Sequence, residues 1–219
     1  MPNWCSNVLI IQGEPDEVGE LLESVKEGST VFSLDKVITM PNALRGVSAP
    51  ERDDNTASTN LKLYGAKDWY DWSNLNWGTK WNVDAKITED SGNSVLLNAH
   101  RTVRIEFDSA WAPPLPVYEV LAARWPNTNI YAAYDEPGAD FAGYVMYTKG
   151  KAVKESNFKS PSNYMNYINP STMEDVFYWF PLEEEYEEVG SYVEAAKAQH
   201  EATKAMQNQL EKAMLKRKE

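Results

Sequence analysis

The first apolar run is short. Residues 8–11 are closed by Gln12 and Gly13, which predicts a buried strand. Pro15 and Asp16 follow, and Val18, Leu21, Leu22 and Val25 then recur at helical spacing until Gly28, so a helix is predicted near 15–27. Glu14, Asp16, Glu17 and Glu20 crowd its start, where the dipole favours negative charge. Strand followed by helix is the first half of a split βαβ unit. Residues 31–40 are apolar and β-branched until Pro41 interrupts them, and the polar residues 42–60 read as a loop. Residues 61–82 are dense in aromatics. Asp68 suits the N-cap of a short helix carrying Trp69, Tyr70 and Trp72, and Gly78 stands where a sharp turn is needed.

The pattern then repeats. Residues 102–107 alternate as a strand does, Pro113, Pro114 and Pro116 lead into a second helix, and Val117, Val120, Leu121 and Trp125 give it an apolar face before Pro126. Residues 130–134 and 141–148 read as antiparallel strands joined through residues 135–138. The expected fold is α+β: a ferredoxin-like antiparallel sheet of strands near 7–12, 102–108, 128–134 and 141–148, with helices near 15–27 and 115–125 on one face. This domain is expected over 1–150, with an aromatic-rich insertion at about 31–100. Residues 151–182 read as an irregular linker or packing segment, and 183–219 as a helix-forming tail. Val189, Val193, Met206, Leu210 and Met214 form an imperfect stripe along that tail, broken at His200 and Thr203. It suits a partner or a second copy of the chain, making a homo-oligomer through this helix.

Charge narrows the partners. The net charge of -12 and pI of about 4.7 argue against direct nucleic-acid binding, which needs clustered Lys and Arg. They fit either ordinary solubility or a carboxylate-rich mimic of nucleic acid. Cys5 is the sole cysteine, and His100 and His200 are the only histidines, so neither a disulfide nor a zinc site is expected, and no cofactor motif is present. Asn3 and Asn7 interrupt the start in a way that does not suit a signal peptide, and no apolar run reaches the roughly 20 residues a membrane span requires. A cytoplasmic location follows as the expectation.

Candidate chemistry concentrates in the aromatics. Trp69, Trp72, Trp77, Trp81 and Trp111 either form a secondary core beneath the insertion or line a cleft that stacks a flat group, with Lys80 or Arg104 meeting its phosphate. Asp108, Asp135, Glu136 and Asp140 fall at strand ends, where carboxylates are more often turn residues than acid–base pairs or magnesium ligands. No catalytic set stands out.

Four segments carry a family likeness: residues 1–5 with Asn7 close behind; Tyr64-Gly65 before Trp69-Tyr70-Asp71-Trp72; Asn76-Trp77-Gly78-Thr79-Lys80-Trp81; and Phe107-Asp108-Ser109-Ala110-Trp111-Ala112-Pro113-Pro114. Together, over roughly residues 1–147, they resemble the YubB-like family of phage and plasmid accessory proteins. The resemblance implies a ferredoxin-like fold and a mobile-element origin, and supplies no catalytic residues. The functional expectation is a non-enzymatic accessory protein that binds a nucleotide-like ligand or a host protein and so counters host defence. The alternatives are the acidic mimic and a small nucleotide-acting enzyme.

Overall fold

The computed structural model describes residues 3–91 and 100–160. The chain divides into two units, Met1–Tyr167 and Ile168–Glu219. The tail residues Val189, Val193, Met206, Leu210 and Met214 lie outside the described residues, as do the segments 161–182 and 183–219.

The four anticipated strands are present. They are β1 (Trp4–Gly13), β3 (Arg101–Ala110), β4 (Asn129–Glu136) and β5 (Phe141–Thr148). Two more extend the sheet, β2 (Lys86–Asp90) beside β3 and β6 (Lys151–Phe158) beside β5, giving the order β2-β3-β1-β4-β5-β6 with every pairing antiparallel. Strand β6 therefore carries the sheet past the expected boundary at 150. The helices are α1 (Pro15–Val25), α2 (Leu34–Val37), α3 (Asp54–Tyr64), α4 (Trp69–Asn76) and α5 (Leu115–Arg124). The stretch 42–60 is not a plain loop: it holds a 3-10 turn at Asn42–Leu44 and most of α3.

Strands β3 and β4 both run antiparallel to β1 and flank it, and α5 joins them. Two split βαβ units therefore interlock: β1 and α1 lead through the insertion to β2 on the far side of β3, and β3-α5-β4 closes around β1. Alternation along the strands separates two faces. Leu9, Ile11, Val103, Ile105 and Ala132 point to one side, where they share a core with Val18, Leu21, Leu22 and Val25 of α1 and Val117, Tyr118 and Leu121 of α5. The insertion extends this core through Phe32, Leu34, Val37, Met40 and Leu44.

A polar network crosses the same core. Asn7 Nδ2 donates to the Cys5 carbonyl and to Ser109 Oγ, both at 2.8 Å, while Asn7 Oδ1 accepts from the Tyr118 hydroxyl at 3.0 Å. Ser109 Oγ donates onward to the Ala112 carbonyl at 2.8 Å. This network ties β1, the end of β3 and α5 together, at the point where the chain leaves the sheet toward α5. Cys5 is fully buried.

Candidate functional site

Helix α4 delivers the aromatic segment. Asp68 caps it, its Oδ1 accepting from the backbone N–H of Tyr70 (2.9 Å) and Asp71 (3.0 Å). Trp72 turns inward and meets Trp77 edge-on at 5.5 Å between ring centroids. Trp77 ends the helix and its indole N–H donates to the Ile38 carbonyl at 2.8 Å. Gly78 then takes φ 77°, a left-handed conformation that reverses the chain. A Cβ at Gly78 would lie 2.9 Å from Pro116 Cδ and 3.3 Å from the Pro113 carbonyl, so the turn sits tightly against the approach to α5. The next residue, Thr79, is buried and donates from Oγ1 to the Ala110 carbonyl at 2.8 Å. That bond fixes Lys80 and Trp81 beside the end of β3, where Trp111 leaves the strand.

Lys80 is the centre of the group that results. Its Nζ lies 4.4 Å from the ring centroid of Trp81, 5.1 Å from that of Trp111 and 5.6 Å from that of Tyr70. Tyr70 meets Trp111 edge-on at 6.3 Å, and Trp4 lies 6.2 Å from Trp81 with the rings tilted by 41°. Trp4 is 49% exposed, and Trp81 and Trp111 38% each. Each cation–ring contact is worth about 0.5–1 kcal/mol at an exposed site. Lys80 forms no ion pair with a carboxylate among the described residues. Trp111 also holds φ at 70°, an outlier for a bulky residue, and its N–H donates to the Asn3 carbonyl at 3.0 Å. The fold thus holds an exposed indole in place at a backbone cost of about 1–2 kcal/mol.

The structure sorts the residues anticipated for this site. Lys80, Trp81 and Trp111 come together. Trp69 stands behind them, partly buried against the core and edge-on to Tyr70 at 5.9 Å. Trp72 and Trp77 are only 5% and 4% exposed and belong to the core, because α4 needs an apolar face. Arg104 is elsewhere: it alternates with the buried Val103 and Ile105, so it projects from the other face of the sheet, and its Nε donates to Glu106 Oε1 at 2.7 Å. Two members of the group were not anticipated, Trp4 and Tyr70. Trp4 arrives only through the strand register that pairs it with Ala110, the neighbour of Trp111.

Of the strand-end carboxylates, Asp108 and Asp135 stand on either side of Ser6 in the sheet register. Asp108 accepts from Ser6 Oγ (3.0 Å) and Asp135 from Ser160 Oγ (2.5 Å), while the buried Glu136 accepts from the backbone N–H of Gly138 and Ala139 within its own turn. No group of three or more potential metal ligands occurs among the described residues. Nor, among these residues, is any helix long and apolar enough to cross a membrane.

Residues 76–166 match the family model described as the ferredoxin-like domain in Api92-like protein. This Api92-like match opens just before Gly78 and contains Lys80, Trp81 and Trp111, while Trp4 and Tyr70 precede it. The chain is also similar to the crystal structure of a protein Api92 from Yersinia pseudotuberculosis, at 13% sequence identity and a TM-score of 0.43, over 73% of this chain and 99% of that one. No curated protein matches the chain.

Proposed function

We propose that this chain is a non-enzymatic accessory protein of a phage or plasmid, and that the surface around Lys80 binds a nucleotide-like ligand and thereby counters host defence. The observation that carries this reading is the Lys80 ammonium set among three rings, without a carboxylate partner among the described residues, beside exposed faces of Trp4, Trp81 and Trp111. A base stacked on one such indole gains about 1–3 kcal/mol. The ammonium supplies the charge for a phosphate at the edge of that stack. The net charge of -12 repels a long polyanion and so favours a small ligand over a nucleic-acid strand. The resemblance to YubB-like proteins supports the mobile-element setting.

Titration of intrinsic tryptophan fluorescence with mononucleotides and cyclic dinucleotides tests the reading. Saturable quenching is expected, weakened about tenfold in Lys80→Met, which keeps the aliphatic stem but removes the charge. Trp81→Ala should weaken it further. Flat titrations across the panel, or quenching that survives both substitutions unchanged, would overturn it.

A further inference from the structure

A second site lies on the helix-covered side of the sheet, beyond α5. A pocket of about 320 Å³ is lined by Leu115, Pro116 and Glu119 of α5, by Tyr134 and Tyr147 of β4 and β5, and by Glu155 and Asn157 of β6, among others. Helix α5 lies over β4, β5 and β6, and the space between its first turns and these strands forms a groove. The register explains its floor. Glu155 pairs with Val145 and Asn157 with Gly143, so both belong to the face that carries the core, where Tyr134 also stands opposite Gly143. A glycine is needed at that point: a Cβ on Gly143 would lie 2.5 Å from the Tyr134 hydroxyl. With Gly143 there, Tyr134 donates its hydroxyl to Asn157 Oδ1 at 2.6 Å.

The chemistry of the lining is one-sided. Its two charged residues, Glu119 and Glu155, are both acidic and both exposed, and among the described residues no Lys, Arg or His lines the pocket. Both carboxylates act on the same phenol: Tyr147 is pushed up to about 12, chiefly by burial and then by the charges of Glu119 and Glu155. Apart from Asn157, the walls that remain are apolar or aromatic. A cavity of this volume suits a small molecule, and tyrosine rings with flanking carboxylates suit an organic cation.

We propose that this pocket binds a small organic cation, an alkylammonium or alkylguanidinium compound, with its charge between Glu119 and Glu155 and its apolar chain against Leu115 and the tyrosine rings. The pocket shares no lining residue with the aromatic surface around Lys80 and does not depend on the reading given for it. An acidic protein attracts any cation, so the test separates a built pocket from diffuse attraction.

The probe is agmatine, titrated into the full chain at low ionic strength and followed by calorimetry and by backbone amide shifts. Saturable binding is expected, with shifts confined to α5 and to β4, β5 and β6. An uncharged alkylurea of the same length should not bind. The double variant Glu119→Gln/Glu155→Gln should weaken agmatine about tenfold or more, since it removes both charge-assisted partners. Asp16→Asn/Glu20→Gln removes the same charge from exposed positions on α1 and should leave the affinity unchanged, as should Lys80→Met. Both glutamates are exposed, so the fold is retained, and circular dichroism verifies it. The proposal is overturned by agmatine that fails to saturate, by equal weakening in the two double variants, or by shifts scattered over the acidic surface.

Discussion

Among single residues, Asn7 ties β1, β3 and α5 together. It uses both donors and its acceptor in the core, so its removal orphans the Tyr118 hydroxyl and frees one of the bonds that hold the end of β3. A buried polar group left without a partner costs about 1–3 kcal/mol. Asn7→Ala is therefore expected to destabilise by about 3 kcal/mol in chemical denaturation, once the lost packing is included. Tyr118→Phe removes the hydroxyl instead. In the double variant part of the loss should be recovered, because no orphan remains, and strictly additive losses would contradict the network. The residue scale also marks where sequence reading stops. A tryptophan count does not distinguish Trp77, which is buried with its N–H on Ile38, from Trp81, which is exposed four residues later. Arg104 looked equivalent to Lys80 as a cation near tryptophans, yet strand alternation sends it to the opposite face.

At the scale of elements, apolar pattern revealed whatever faces the core and missed what does not. The central strands and α1 bury a regular set of side chains, and their positions were legible. Strand β2 is Lys-Ile-Thr-Glu-Asp and exposed throughout, and the run of β6 is mostly polar. Polar strands of this kind suit the margins of a sheet and carry little alternation. Helix α3 buries only Asn60, so it lacks a stripe; its signals were terminal, Asp53 capping Asn55 N–H and Gly65 at φ 75° closing the helix. The two left-handed glycines around α4 give a paired prediction. Gly65→Ala meets nothing within 4 Å and should cost only the backbone penalty, about 1 kcal/mol. Gly78→Ala adds a clash with Pro116 and the Pro113 carbonyl and should cost about 2–4 kcal/mol. Thermal or urea unfolding of the two variants tests this directly. Equal losses would mean that the turn before Lys80 is not braced against α5.

For the whole molecule, burial of weak acids sets a limit on the alkaline side. Cys5 is pushed up to about 12, mainly by desolvation, and Tyr147 likewise to about 12; burial also raises Tyr118 and Tyr131. In the unfolded chain these groups ionise near pH 8.5 for cysteine and about 10 for tyrosine. Above those values the unfolded state holds fewer protons than the folded state, so stability falls as pH rises. It is fully present below about pH 8.5 and declines toward pH 12, each group withdrawing up to about 1.4 kcal/mol per pH unit over its own window. The net charge of -12 grows more negative over the same range and adds self-repulsion. Thermal unfolding between pH 7.5 and 11 should show a melting temperature that drops from about pH 9 onward. Tyrosinate absorbance from these buried phenols should appear together with unfolding and not ahead of it. Tyr118→Phe supplies the decisive comparison. It loses the bond to Asn7 and should be less stable than the native chain at pH 7.5, yet it removes one proton from the linkage, so its decline above pH 10 should be shallower and the two curves should converge. Parallel curves for the native and Tyr118→Phe chains would show that the Tyr118 phenol takes no part in the alkaline loss, leaving it to Cys5, the other buried phenols and surface repulsion.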